Sequence, residues 1–245
     1  MQPSILNSGN SAHSEILQDG FTIIPDIFRK DEIEDIIQVI NSMDIANETF
    51  RKSNDLFAVR QFLREVPEVK ELIFNDKLKL VLNELFGSDY LITKSIYFDK
   101  PAQSNWFVPY HQDLTISVDK KIAVDGYDKW TLKQGQFAVQ PPIDVLESSY
   151  TVRIHLDDTD EHNGALKVIP GSHLNQIFRP ENIDWQTAQE TICRVPKGGL
   201  MIMKPLLLHS SNRTTNEKRR RVIHIEFCNK QLLEGLKWAE TDHII

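Results

Sequence analysis

Cysteine is scarce in this 245-residue chain: only Cys193 and Cys228 occur, and they do not form a Cys-X-X-Cys pair. This excludes a zinc ribbon or a dithiol redox centre and favours a reducing, cytoplasmic location. The sequence also lacks an apolar run of membrane-spanning length and, at its start, the basic and apolar segments of a secretory signal. We therefore expect a protein with no membrane partner.

Basic residues are outnumbered, with 28 Lys and Arg against 35 Asp and Glu and a formal net charge of -7. This balance gives no electrostatic reason to expect a nucleic-acid partner. The hydrophobic content of 40% is enough for a sizeable core. We expect a mobile tail over residues 1–14 and a single domain over 15–245. No heptad marks an interface, so a monomer and a homodimer both remain open.

Helical patterns come before strand patterns along the chain. Isoleucines recur at helical spacing between positions 33 and 40 and predict an amphipathic helix over about 31–42, with Asp31 and Glu34 as a capping box. A short strand is expected at 20–25, and further helices near 67–74 and 77–86, the last ended by Gly87.

From residue 90 onward, β-branched and aromatic residues cluster in short runs, which predict strands at 90–98, 106–110, 150–156, 165–169, 199–203 and 221–228. Two long polar segments, 114–149 and 172–192, are predicted to be loops, and loops of that length usually carry function. The pattern predicts a mainly β fold with flanking helices, of the α+β class.

A histidine and a carboxylate stand two residues apart at three places: His111 and Asp113, His155 and Asp157, and His224 and Glu226. Positions i and i+2 of a strand face the same side, so each pair is a candidate for sharing one metal ion. Context favours His111 and Asp113, because they lie where a predicted strand opens into a long loop. His155 and His224 lie inside alternating strands and are interpreted as polar residues of the interior or surface.

Two more residues extend this candidate site. His209 directly follows an apolar run and supplies a second imidazole, and two imidazoles with one carboxylate are the ligand set of non-haem iron(II) oxygenases. Arg220 lies within the basic run 218–221, where a solvated turn is the simplest interpretation. On a strand, however, Arg220 points opposite to Arg219 and Arg221, and an inward guanidinium requires an anion, for which a carboxylate is the natural partner.

Three motifs in this order give the chain a family resemblance. They are Pro109-Tyr110-His111-Gln112-Asp113, the stretch from Asp160 to His173 with Asn163-Gly164-Ala165-Leu166 and Ile169-Pro170-Gly171-Ser172-His173, and His209-Ser210-Ser211 followed by Arg220. Over roughly residues 20 to 230, the chain resembles the phytanoyl-CoA dioxygenase family of 2-oxoglutarate oxygenases. The resemblance implies a double-stranded β-helix, a cupin-like jelly-roll barrel, with helices packed outside it.

The resemblance also implies roles for individual residues. His111, Asp113 and His209 would ligate Fe(II), Arg220 would pair with the distal carboxylate of 2-oxoglutarate, and Ser211 would donate a hydrogen bond to that carboxylate. Arg60 and Gln112 are expected near the same cosubstrate, and O2 is the second cosubstrate. Trp130, Gln140 and Thr151 are expected to line the cavity. No coenzyme A signature is present, so an acyl-CoA substrate is not expected.

These expectations combine into a functional hypothesis: hydroxylation of an unactivated C–H bond of a small organic molecule, with release of succinate and CO2. Asp113 favours oxidation over halogenation, because related halogenases lack this carboxylate. Two alternatives stay open. One is a cupin-type metal-dependent isomerase or hydrolase that uses the same ligands without 2-oxoglutarate, and the other is a non-catalytic small-molecule binding barrel.

Overall fold

The N-terminal segment is a helix in the computed structural model, which describes residues 5–43, 50–52, 57–133, 135–233 and 235–243. Helix α1 spans Ile5–Gln18. Ala12 and Ile16, one turn apart, are buried in the main core. This helix overlaps the segment 1–14, for which we expected a mobile tail, and one of its faces packs against the core. Residues 1–4 lie outside the described residues.

The predicted helices are present with shifted ends. They are α2 Lys30–Asn41, α4 Val69–Ile73 and α5 Asp76–Phe86. Two short helices were not predicted, α3 Phe62–Glu65 and α6 Ile143–Glu147. The predicted capping box is wrong in register: α2 begins before Asp31, so Glu32 accepts the hydrogen bond from the Arg29 backbone N–H at 2.7 Å. Gly87 ends α5 as predicted, with a φ of 76° that favours glycine.

The strands cover the predicted runs and several further segments. They are β1 Phe21–Ile24, β2 Phe50–Lys52, β3 Phe57–Arg60, β4 Leu91–Lys100, β5 Val108–His111, β6 Ile116–Val118, β7 Asp128–Lys133, β8 Gln136–Gln140, β9 Ser149–His155, β10 Leu166–Val168, β11 Thr191–Cys193, β12 Leu200–Met203, β13 His209–Ser211, β14 Arg220–Cys228 and β15 Asp242–His243. Two 3-10 turns lie at Ser172–Asn175 and Pro180–Asn182.

Antiparallel pairing joins the strands into three sheets. The large sheet has the order β1-β12-β9-β14-β4-β3-β2, with β15 paired to β4, and the second sheet has the order β11-β10-β13-β5. Residues of both sheets line one cavity, so the two sheets face each other across it. The expected mainly β fold with flanking helices, of the jelly-roll type, is confirmed.

The large sheet is apolar on one face and polar on the other. Val152 and Ile154 of β9, and Leu156 directly after it, pack with the helices in the main core. The residues between them, Arg153 and His155, point to the opposite face and are also buried. This period-two alternation places titratable side chains inside the β-structure, between the two sheets.

The segment 114–149 is not the loop that its polar composition predicts. It forms a three-stranded sheet in the order β6-β8-β7, followed by α6. Ile116, Val139 and Val145 are buried in a second, smaller core, to which Leu206, Leu236 and Trp238 from later in the chain also belong. By contrast, 172–192 is a connection with only short 3-10 turns and the start of β11, close to the prediction.

Within the described ranges, no helix combines the length and apolar character needed to cross a membrane.

Candidate metal centre

His111, Asp113 and His209 come together at the open end of two paired strands. His111 ends β5 and is the register partner of His209, which begins β13. The backbone N–H of Asp113 donates to the carbonyl of Pro205 at 2.9 Å, so the chain after β5 stays next to the segment leading into β13. One ligand atom from each of the three side chains lies within 4.8 Å of the other two.

Both imidazoles are oriented by their own backbone. Nδ1 of His111 lies 2.9 Å from the carbonyl of Pro109, and Nδ1 of His209 lies 2.9 Å from the carbonyl of Leu207. A carbonyl oxygen only accepts, so each Nδ1 carries the proton and each Nε2 keeps its lone pair. These Nε2 atoms lie 3.9 Å and 3.7 Å from the two carboxylate oxygens of Asp113. The donor set of two imidazoles that present Nε2 and one carboxylate fits iron(II).

The protonation states suit metal ligands. Burial lowers the pKa of His209 to about 4, so its imidazole is neutral at pH 7. Burial would raise the pKa of the Asp113 carboxyl, but His209 and His224, which become charged in the acid range where that carboxyl titrates, and the Lys94 ammonium together hold its pKa below the usual value. Asp113 is therefore ionised at neutral pH and available to a cation.

Arg220 carries a buried charge that is only partly satisfied by the described residues. Its side chain is 3% exposed. Among the described residues, its Nε and Nη1 atoms have no hydrogen-bond partner. Burial lowers the pKa of Arg220 to about 9, which still leaves the guanidinium protonated at pH 7. Its neighbours point the other way, Arg219 onto Asp99 and Arg221 onto Asp157.

This alternation agrees with the sequence-based expectation for a strand. A buried guanidinium with unsatisfied N–H groups is costly unless an anion meets it, and a carboxylate is the best geometric match. Arg220 shares its cavity with His111, Asp113 and His209. The cavity therefore offers a metal-ligand set and an anion anchor together, as a chelating dicarboxylate requires.

The remaining predicted cosubstrate residues have different surroundings. Ser211 lines the cavity, and its hydroxyl donates to the carbonyl of Gly164 at 3.1 Å. Gly164 has a φ of +85°, and a Cβ there would lie 3.0 Å from the carbonyl oxygen of Asn212. Only glycine fits this close approach. Arg60, at the end of β3, also lines the cavity.

Gln112 faces away from the site, contrary to expectation. Its amide nitrogen donates to the carbonyls of Gln176 and Leu206, and its amide oxygen accepts from the N–H of Phe178 at 2.9 Å. Gln112 therefore ties the 172–192 connection to the strand end and is not a cosubstrate ligand. It lies between His111 and Asp113, so it points opposite to both.

The cavity measures about 340 Å³ and mixes apolar walls with charged groups. Its lining comprises Ala58, Arg60, Ile96, Phe98, Trp106, Val108, His111, Asp113, Lys133, Arg153, Leu166, His209, Ser211, Arg220 and His224. Trp130, Gln140 and Thr151, which we expected to line it, are not part of this set. Trp130 packs in the small core of the 114–149 segment instead.

A charged network that was not expected from the sequence lies next to the metal-ligand set. Lys94 pairs with Glu226 at 2.7 Å, and Glu226 lies 3.1 Å from Nε2 of His224. Nη1 of Arg153 lies 3.2 Å from Nδ1 of His224. Arginine only donates, so His224 accepts at Nδ1 and donates through Nε2 to Glu226. The signal in the sequence was the alternation of β9 and β14, which place titratable residues two apart: Arg153 with His155, and His224 with Glu226.

His155 lies in the same interior. Its Nδ1 lies 2.7 Å from the hydroxyl of Thr159, and its buried Nε2 has no partner in the described structure. Burial, followed by the charges of Arg153 and Arg220, holds the pKa of His155 well below its usual value. His155 is thus a neutral interior group and is absent from the metal-ligand set.

Comparison with known proteins identifies the family to which this chain is similar. A family model described as phytanoyl-CoA dioxygenase matches residues 16–222. A Caenorhabditis elegans protein, phytanoyl-CoA dioxygenase domain-containing protein 1 homolog, is 23% identical over 92% of this chain and 91% of its own.

Solved structures show the same fold. EctD from S. alaskensis, solved with 2-oxoglutarate and 5-hydroxyectoine, has a TM-score of 0.67 and 18% identity over 88% of this chain and 74% of EctD. The non-haem α-ketoglutarate-dependent epimerase SnoN from nogalamycin biosynthesis has a TM-score of 0.65 and 12% identity over 91% of this chain and 83% of SnoN. The chain therefore belongs to the phytanoyl-CoA dioxygenase family, and the expected enzyme class, a non-haem iron oxygenase dependent on 2-oxoglutarate, is confirmed.

Proposed function

We propose that the protein hydroxylates an unactivated C–H bond of a small organic molecule, with conversion of 2-oxoglutarate and O2 to succinate and CO2. His111, Asp113 and His209 hold the iron(II), and Arg220 anchors the distal carboxylate of 2-oxoglutarate. When bound, the iron and its cosubstrates supply the oxidising chemistry, which the protein's own side chains lack.

One observation carries the proposal: the buried guanidinium of Arg220, with Nε and Nη1 unpartnered in the described structure, faces the cavity that contains the three metal ligands. A metal site that worked without 2-oxoglutarate would have no use for this charge, and its burial would only cost stability. Ser211 adds a hydroxyl on the same cavity wall, and rotation of its O–H allows it to serve the same carboxylate.

The protein's part in the reaction is to bind and orient the reactants and to exclude water. The carbonyls of Pro109 and Leu207 fix the ring orientations of the two imidazoles. Phe98, Trp106 and Leu166 supply apolar wall around the charged groups. In such an environment, the charge interactions of the cosubstrate are stronger than in bulk water.

The reaction subtype is also a proposal. Asp113 occupies the position of the third metal ligand, which favours hydroxylation over halogenation. SnoN, which has a similar fold, is an epimerase, so epimerisation is the other outcome to test. Hydroxylation and epimerisation differ in their products, so mass spectrometry distinguishes them: hydroxylation adds one oxygen atom to the substrate, whereas epimerisation leaves its mass unchanged.

Anaerobic titration with iron(II) and then 2-oxoglutarate tests the proposal directly. We expect the weak visible charge-transfer band that an iron(II)–2-oxoglutarate chelate produces. The band should be lost in His111→Ala, and Arg220→Leu should require much more 2-oxoglutarate to form it. Metal binding without a band would instead favour the cupin-type isomerase or hydrolase. Absence of binding of both metal and 2-oxoglutarate would favour the non-catalytic barrel.

A further inference from the structure

A second cavity adjoins the first on the side of the 114–149 segment. It measures about 200 Å³, and we call it the polar chamber; the lining residues that distinguish it from the first cavity include Lys94, Thr115, Ser117, Thr131 and Gln136. It shares Arg60, Ile96, Phe98, Asp113, Lys133 and His224 with the first cavity, so the two cavities are continuous, but Arg220 and both metal-ligand histidines are absent from its lining. A cosubstrate anchored at Arg220 therefore leaves the polar chamber open beside the metal ligands.

The chemistry of this lining is hydrophilic. Thr115 and Ser117 flank the start of β6, and Thr131 and Gln136 come from β7 and β8. These four side chains offer hydroxyl and amide groups to whatever binds. The volume is below the roughly 300–1,000 Å³ of typical drug-sized sites. A long hydrocarbon chain would leave the polar groups unsatisfied, so a small, polar molecule fits better.

The charges around the two cavities are predominantly positive. Lys94 is offset by Glu226, with which it forms a 2.7 Å ion pair, and Asp113 belongs to the metal-ligand set. Lys133 lines both cavities. Arg153 is 7% exposed. No carboxylate in the described part of the chain forms an ion pair with Arg153, and its Nε has no partner there.

A bound dianionic cosubstrate does not neutralise this charge. Iron(II) and 2-oxoglutarate carry equal and opposite charges, and Asp113 offsets one of the three cations Arg153, Lys133 and Arg220. Even with Arg60 left out of the balance, the loaded site keeps a positive charge in a partly enclosed space. Such a site attracts and retains a further anion.

We propose that the substrate is a small hydrophilic molecule with an anionic oxygen group, a carboxylate, phosphate or phosphonate, which binds in the polar chamber with Lys133 as its main charge partner. This inference rests on the proposed function and adds the substrate class to it. Arg60, at the end of β3, also lines this chamber. The bond to be oxidised then lies on the Asp113 side of the chamber.

Binding to the iron(II)- and 2-oxoglutarate-loaded protein, under anaerobic conditions and with 2-oxoglutarate saturating, is the first test. The probes are three- to six-carbon carboxylates, phosphate monoesters and phosphonates, each matched with its neutral amide or ester, together with a long-chain acyl-CoA. Binding is followed by calorimetry and by the change in the visible band. At least one anion should bind, and its neutral counterpart should bind at least about tenfold more weakly.

Lys133→Met provides the residue-level test, with Lys129→Met on the same strand as the matched control outside both cavities. Lys133→Met should weaken binding of the anion about tenfold or more, leave its neutral counterpart unaffected, and leave the visible band itself intact. Lys129→Met should bind the anion as the unmodified protein does.

The outcomes separate this inference from the proposed function. If the visible band is normal, three results would overturn the anionic substrate class and leave the 2-oxoglutarate chemistry standing. They are binding of no anion, equal binding of anions and their neutral counterparts, and preference for the acyl-CoA. Equal effects of Lys133→Met and Lys129→Met would overturn the role of Lys133. Absence of the band itself, with metal bound, would contradict the proposed function.

Discussion

The imidazole rings of His111 and His209 lie 4.2 Å apart between centroids, and each donates its Nδ1 proton to the carbonyl of the residue two positions before it. The two rings come from neighbouring antiparallel strands, so the arrangement repeats from one strand to the other. Because the backbone itself sets both tautomers, the Nε2 atoms are ready to bind metal before any metal arrives. This preorganisation lowers the entropic cost of forming the metal site.

The first prediction concerns this metal site. His209→Ala should weaken iron(II) binding by at least about a hundredfold. The loss of a ligand should weaken binding more than the loss of a group that only orients a ligand. Equilibrium dialysis with iron measured by atomic absorption checks this. His162→Ala, an exposed histidine outside the metal-ligand set, is the control. Equal iron content in His209→Ala and the unmodified protein would contradict the assignment.

The second prediction uses the alternation of Arg219 and Arg220. Arg220→Leu should weaken 2-oxoglutarate binding by at least about thirtyfold, because the distal carboxylate loses its buried charge partner. Arg219→Leu removes a neighbouring guanidinium that pairs with Asp99 instead, so its 2-oxoglutarate affinity should stay close to normal. Anaerobic titration of the visible band measures both. Similar losses in the two variants would contradict the inward role of Arg220.

We also expect Arg220→Leu to change thermal stability in opposite directions with and without bound iron(II) and 2-oxoglutarate. Without 2-oxoglutarate, the variant should be at least as resistant to thermal unfolding as the unmodified protein, because it removes an uncompensated buried charge. With 2-oxoglutarate and iron(II), only the unmodified protein should gain a substantial increase in Tm. Calorimetric scans of both proteins with and without the cosubstrate provide the comparison.

The third prediction concerns the pair Lys94 and Glu226, whose side chains are 14% and 9% exposed. Glu226→Gln leaves the Lys94 ammonium buried without its counter-charge and should lower the free energy of unfolding by about 3–5 kcal/mol. The double variant Lys94→Met with Glu226→Leu should recover much of that loss. Urea denaturation of the three proteins measures the effect, and a double variant no more stable than Glu226→Gln would show that the pair is not coupled.

The fourth prediction is the pH dependence of stability, measured on the metal-free protein. The folded-state pKa of His155 is lowered below its unfolded value of 6.5, mainly by burial. As pH falls below 6.5, the unfolded state takes up a proton that the folded state refuses, so stability decreases with acidification. Each such histidine contributes a slope approaching about 1.4 kcal/mol per pH unit.

Denaturation midpoints between pH 7.5 and 5.5 test the contribution of His155. His155→Leu should show a shallower loss of stability over this range, whatever its stability at neutral pH. His162→Leu, which replaces an exposed histidine, should retain the full slope. An unchanged slope in His155→Leu would mean that the interior site does not keep this imidazole neutral.

Much of the site was readable from local pattern. The spacing of His111 and Asp113, the apolar run before His209 and the alternation around Arg220 all depend on strand periodicity, which is a property of the backbone. The same holds for α2, whose isoleucines repeat every three or four residues. For these features the information lies within a few residues, so the sequence was sufficient.

Other features depend on contacts between distant segments. Gln112 turns away from the cavity because the 172–192 connection and Leu206 offer its amide three backbone partners. The 114–149 segment reads as polar, yet it folds into a sheet because its few apolar side chains meet in a small core. Helix α1 is held by Ala12 and Ile16, whose partners lie elsewhere in the chain.

The sequence by itself determined which residues share a face of a strand or helix, because strand and helix periods are properties of the local backbone. Only the tertiary structure decided how those faces meet: that β5 and β13 bring His111 and His209 into register, that Lys94, Glu226, His224 and Arg153 form one network, and that the polar chamber adjoins Asp113. The physical reason is that pairing and burial between strands far apart in sequence are decided by the packing of the whole chain, and no local pattern specifies it.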